Sequence, residues 1–113
     1  MSEWIGVDLD GTLAYYEGWA GVEKIGAPIP LMVQRVRMMR AAGTEVRIFT
    51  ARVAHPTHAS EAVDAIRAWC VTHLGEELPI TCSKDLGMIA LYDDRAIRVE
   101  HNTGVVLFPP EVV

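Results

Sequence analysis

Long apolar runs are missing from this chain of 113 residues. None approaches the roughly 18 residues that a membrane helix needs, so a spanning helix is not expected. Cysteine is nearly absent, with Cys70 and Cys82 alone. No secretory leader is read at the N-terminus, so the two thiols are expected reduced and the location cytoplasmic. Lysine is as scarce, with only Lys24 and Lys84. Lys and Arg together number 10 against 15 Asp and Glu, a net charge of −5. That balance excludes a broad nucleic-acid or anionic-membrane surface. A chain of this charge that handles phosphate must concentrate positive charge locally, from a metal or a few placed cations. Repeats, low-complexity segments and linkers are also lacking. The length suits one domain with one core, so a single domain over 1–113 is expected.

What is present is concentrated in Asp8-Leu9-Asp10-Gly11-Thr12. This stretch follows Trp4-Ile5-Gly6-Val7, which reads as a short buried strand over residues 3–8. An ionised carboxylate is costly to bury unless paired, hydrogen-bonded or bound to metal. Two carboxylates so close also raise the cost of ionising both. The pattern therefore points to a held cation and to chemistry, over a generic Asp-x-Asp-Gly turn.

The rest of the chain alternates strand and helix. Residues 13–27, with Tyr15, Tyr16 and Trp19, read as an irregular flap. Pro28 and Pro30 start a helix, Met32, Val36 and Met39 give it one apolar face, and Gly43 ends it. Val46 to Phe49 is a second strand, stopping at Thr50. Pro56-Thr57 opens a second helix with Val63, Ile66, Cys70 and Leu74 on one face, closed by Gly75. Leu78 to Thr81 is a third strand. Met88 to Tyr92, unbroken in its apolar character, predicts a strand buried on both faces. Ile97 to Val99 and Val105 to Phe108 flank Asn102-Thr103-Gly104 as a hairpin.

Strands separated by helices imply crossovers and a mainly parallel sheet, whose ligands bind outside the carboxyl ends of the strands. Asp8 and Asp10 follow strand one and Thr50 ends strand two. Lys84 lies past strand three, and Asp93 and Asp94 follow strand four. Four of the six aspartates and one of the two lysines thus fall on one edge.

In that order, Asp8-x-Asp10-Gly11-Thr12, Thr50 after Arg47-Ile48-Phe49, Lys84, and Asp93-Asp94 after Ile89-Ala90-Leu91-Tyr92 resemble the four motifs of the haloacid dehalogenase superfamily of phosphohydrolases. The resemblance runs from about position 4 to 108. The first motif is specific, the second and third are single residues, and order and spacing together carry the match. The resemblance implies a three-layer Rossmann-like α/β fold with a mainly parallel central sheet and a C-terminal β-hairpin. It also implies a Mg²⁺-dependent phosphomonoester hydrolase that works through an aspartyl-phosphate.

By the same resemblance Asp8 is the nucleophile and Asp10 the acid and base. Thr50 donates to a phosphoryl oxygen, and Lys84 neutralises and orients Asp8. The metal set implied is Asp8, the Asp10 carbonyl, Asp94 as direct ligand and Asp93 in support, hard oxygens suited to Mg²⁺. Leu9, Gly11, Thr12, Ala51 and Arg52 are the implied substrate contacts, with the N–H groups from Leu9 to Thr12 as an anion cradle. Arg52 and Arg95 touch substrate or pair with local carboxylates, two readings left level. Asp10 favours phosphate chemistry, because dehalogenases of the superfamily lack that second aspartate. The intervals 13–27 and 53–83 leave no room for a cap domain. The likeness is therefore to capless members and to phosphatase domains that process nucleic-acid ends.

An open site suits a nucleic-acid end, or a small phosphorylated molecule such as a nucleotide closed over by a second copy in a homo-oligomer. Plainer readings stand beside these. Thr50 can bond its own backbone, and Asp93-Asp94 can cap a helix. His55 and His58 read as surface residues, since hard Mg²⁺ disfavours imidazole. Tyr15, Tyr16 and Trp19 pack the flap or stack a base. The alternative functions are a phospho-receiver signalling domain, whose adjacent acidic pair follows the first strand instead of the last, and a catalytically idle binding module.

Overall fold

The structure, a computed structural model, describes residues 2–108. Nine elements follow in order: β1 (Trp4–Asp8), α1 (Pro30–Ala41), β2 (Val46–Phe49), a 3₁₀ turn (Ala51–Ala54), α2 (Ala59–Leu74), β3 (Ile80–Thr81), β4 (Met88–Tyr92), β5 (Arg98–Val99) and β6 (Val106–Leu107). Pro30 opens α1 in its first turn, where its missing N–H costs nothing and its φ is already helical. Gly75 closes α2 at φ 85°, a left-handed cap that an L side chain rarely adopts. α2 begins later than Pro56-Thr57 suggests, because the chain first makes the 3₁₀ turn.

The sheet runs β3-β2-β1-β4 with every pair parallel, and β5 and β6 form a separate antiparallel hairpin. The fold is Rossmann-like α/β. Val7 and Leu9 from the β1 end, Val46 and Ile48 from β2, Val36 from α1, and Ile66, Trp69, Cys70 and Leu74 from α2 make one core. Burying an aliphatic side chain of this size stabilises the fold by about 1.5–3 kcal/mol. Leu9 anchors the turn after β1 in that core, and so holds the carboxylates on either side of it. Cys70 is buried and Cys82 exposed, and neither is in a disulfide. Burial pushes the Cys70 thiol up to about 11. No helix among the described residues is long and apolar enough to cross a membrane.

β4 departs from its apolar sequence. It forms an edge of the sheet, and Ile89 is 57% exposed. Residues 82–87 alone join β3 to β4, too few for a covering helix. The pairing also slips: Trp4 lies beside Met88 but Ile5 beside Ala90, so Ile89 is an unpaired extra residue. The slip has a consequence for the site. Without it Asp8 would sit level with Tyr92. With it Val7 sits beside Tyr92, and the next step along the strands brings Asp8 level with Asp93.

Candidate functional site

Strand order reverses at β1. The chain moves from β1 through β2 to β3 on one side, then returns to β4 on the other. Ligand crevices of open α/β sheets lie at such a reversal, outside the carboxyl ends of the strands. Asp8, Asp93 and Asp94 meet there, each offering a carboxylate oxygen within 4.8 Å of the others. The expected partners of the metal thus come together from the two ends of the chain. Asp10 is not in this carboxylate group.

Thr12 braces the cluster. Its hydroxyl lies 3.3 Å from Asp8 Oδ2 and 3.1 Å from Asp94 Oδ1, and accepts the Asp94 N–H at 3.0 Å. A hydroxyl has one proton, so it donates to one carboxylate at a time. Gly11 is required beside it. Its φ is +86°, and a Cβ there would lie 2.5 Å from Asp94 Oδ2. Asp93 Oδ1 accepts the Arg95 N–H at 2.8 Å, which fixes the loop past β4. The bracing hydroxyl of Thr12 is absent from the expected site, where only its N–H was assigned. The backbone cradle is smaller than expected too. The Gly11 N–H donates to the Ala14 carbonyl and the Thr12 N–H to the Leu9 carbonyl. A local turn has taken two of the cradle's donors.

Burial, a proton-requiring bond to Asp94 and the charges of Asp93 and Asp94 push the Asp8 carboxyl up to about 7, against a smaller opposing effect of Thr12. Among the described residues no side-chain cation pairs with Asp8, Asp93 or Asp94. The cluster is therefore an all-oxygen donor set short of positive charge. That is the setting a hard divalent cation suits.

Arg52 is held by the protein itself. It is 4% exposed. Its Nε and Nη2 donate to Asp10 Oδ2 and Oδ1, both at 2.8 Å. Nη1 donates to the carbonyls of Gly21 and Val22, and Nη2 also to that of Lys24. A guanidinium has five N–H donors, and all are occupied within the chain. Of the two readings of Arg52, the pairing with a local carboxylate is present, and the side chain also lines the cavity of Asp8 and Thr50. The same side chain pins the flap to the site. Its guanidinium carbon lies 5.1 Å from the centre of the Trp19 ring.

Thr50 is 2% exposed, and its oxygen accepts the Arg52 N–H at 3.2 Å, capping the 3₁₀ turn. Its hydroxyl proton has no partner among the described residues. Thr50 and Ala51 line one cavity of about 410 Å³ with Asp8, Asp10, Asp93, Arg95, Tyr16 and Trp19. His55 lines it too, but its Nδ1 accepts the N–H groups of Thr57 and His58, a local turn.

Lys84 is a correction. It is exposed, lies outside that cavity and makes no ion pair with Asp8. The short 82–87 connection explains this. It must return from the carboxyl edge of β3 to the start of β4. Asp85 already accepts from the indole of Trp4, the first residue of β1, at 2.8 Å. Lys84, the residue before it, is left out of the cavity lining. Arg95 is the cavity cation whose side chain has no ion-pair partner among the described residues.

No protein-family model matches the chain, and no curated protein matches it. Among solved structures, it is similar to a conserved protein from Bacteroides thetaiotaomicron at 22% identity. The match covers 85% of this chain and 78% of that one, with a TM-score of 0.58. At that identity the likeness shows the fold.

Proposed function

We propose that the chain is a Mg²⁺-dependent phosphomonoester hydrolase of the haloacid dehalogenase type, without a cap and acting through an aspartyl-phosphate. One observation carries this reading. Asp8, Asp93 and Asp94 converge at the reversal of strand order, and two of them, Asp8 and Asp93, line the cavity that also holds Asp10 and Thr50.

In this reading an Asp8 carboxylate oxygen attacks phosphorus. The new P–O bond forms as the bond to the ester oxygen breaks, and Asp10 gives that oxygen its proton. A water then attacks phosphorus, Asp10 takes its proton, and the bond to Asp8 breaks to release inorganic phosphate. Arg52 takes one lone pair on each Asp10 oxygen, so each keeps another for the travelling proton. Thr50 gives its free hydroxyl proton to a phosphoryl oxygen, and the Arg95 guanidinium draws the anion in. The carboxylates of Asp8, Asp93 and Asp94 and the Asp10 carbonyl would hold Mg²⁺. When bound, it offsets the repulsion between Asp8 and the phosphate.

The test is steady turnover of p-nitrophenyl phosphate with Mg²⁺. Asp8→Asn and Asp10→Asn should each abolish it while the circular dichroism of the fold survives. Full turnover by Asp8→Asn would overturn the covalent role. A receiver domain would take up one phosphoryl group without turnover, and an idle module none.

A further inference from the structure

We propose that Trp19 is a stacking platform, and that the substrate is a phosphomonoester whose leaving group carries a flat heteroaromatic ring, as a nucleotide does. This rests on the phosphatase reading above and adds the class of the leaving group.

The three tryptophans are used differently. Trp4 and Trp69 are buried, and their indole N–H groups donate to Asp85 and to the Gly26 carbonyl. Trp19 is 55% exposed, and its N–H has no partner among the described residues. An exposed tryptophan on a loop is ordinarily free to move, but this one is backed. The Arg52 guanidinium lies against one ring face, and all five of its donors are fixed by Asp10 and three flap carbonyls. The ring therefore carries a fixed guanidinium over one face while the residue stays 55% exposed. It lines the same cavity as the nucleophile, with Tyr16 beside it.

A side chain that merely packed the flap would be buried, as Trp69 of α2 is where its indole meets the flap carbonyl of Gly26. A ring steadied by a fixed guanidinium, exposed and lining the cavity of the reacting groups, suits a planar ligand. The guanidinium behind it strengthens that face through its cation–π contact. The cavity, about 410 Å³, lies in the range of small-molecule sites. Asp8 and Thr50 would take the phosphate while Trp19 takes the ring. Every base has a π-face, so the platform selects flatness and not one base.

The experiment compares AMP with ribose 5-phosphate, which share the same phosphate linkage and differ by the base. With Mg²⁺, kcat/KM for AMP should exceed that for ribose 5-phosphate by about tenfold or more, the scale of one stacked base. Trp19→Ala should bring the ratio close to one, and Trp19→Phe should keep most of it. Arg52→Lys, which cannot fill five bonds, should lower it part-way. A ratio near one in the native chain overturns the proposal, and so does an unchanged ratio in Trp19→Ala or an equal loss on both esters. Adenosine alone gives an independent readout, since it should quench the fluorescence of the native chain but not of Trp19→Ala. If neither ester turns over, the phosphatase reading fails, and quenching still decides the platform. A 5′-phosphorylated oligonucleotide run beside AMP tells a nucleic-acid end from a free nucleotide, both of which bring the same ring.

Discussion

Replacing Asp8 with Asn should stabilise the metal-free protein, and only above a certain pH. In the folded chain the Asp8 carboxyl is pushed from 3.8 up to about 7, chiefly by burial and then by Asp94 and Asp93. A raised carboxyl pKa means that the native state holds a proton the unfolded chain has released. The penalty is absent below about pH 4, grows between 4 and 7, and is complete above 7. Three pKa units correspond to about 4 kcal/mol at 1.36 kcal/mol each. Asp8 is only half-buried, and water screens its charge, so a reasonable share is about 1–2 kcal/mol. The amide in Asp8→Asn removes the charge and donates to the neighbouring carboxylates. In a chelator, its Tm at pH 8 should exceed the native value by about 4–8 °C. At pH 5 the gap should be clearly smaller, since Asp8 is then largely protonated in the fold, and at pH 8 added Mg²⁺ should narrow it by raising the native Tm. Thermal melts from pH 5 to 8.5, read as the difference between the two proteins, cancel the other titrating groups. An equal Tm at pH 8, or a gap that widens toward pH 5, would refute the crowded-carboxylate account.

Gly11→Ala combines left-handed strain of about 1–2 kcal/mol with a methyl against Asp94, so its urea midpoint should fall and its Mg²⁺ affinity drop by about tenfold or more. Lys84→Ala should keep kcat/KM within about twofold, since a change confined to one exposed side chain far from the site is nearly neutral; a hundredfold loss would return Lys84 to the site. Asp94→Ala should weaken Mg²⁺ more than Asp93→Ala in a metal titration, because Asp94 shares the Thr12 brace with Asp8 while Asp93 is tied to the Arg95 N–H. The reverse ranking would exchange the two roles.

Local chemistry made much of this molecule legible in its amino-acid order. β2 was readable to the residue because its apolar run ends at a polar one, and α1 because Pro and Gly bracket its apolar face. The edge that carries Asp8, Asp10, Thr50, Asp93 and Asp94 followed from the alternation of strand and helix, since crossovers leave all strand ends on one side. Properties that depend on which elements become neighbours were not readable. Met88–Tyr92 has the composition of a central strand, yet it is an edge, because strand order is set by packing and not by the strand's own residues. The unpaired Ile89 that levels Asp8 with Asp93 is invisible in an apolar run, since a bulge is a relation between two strands. Lys84 follows a strand as the pattern requires, but it sits in a connection of six residues, next to the Asp85 that Trp4 binds, and lies outside the cavity lining. Arg52 lies two residues past Thr50 in sequence, and its partners are Asp10 and the flap, separated from it by 28 to 42 positions. Sequence supplied the ionic groups; only the tertiary structure decided that this guanidinium is occupied by the protein itself, because five donors buried together must find acceptors inside the fold.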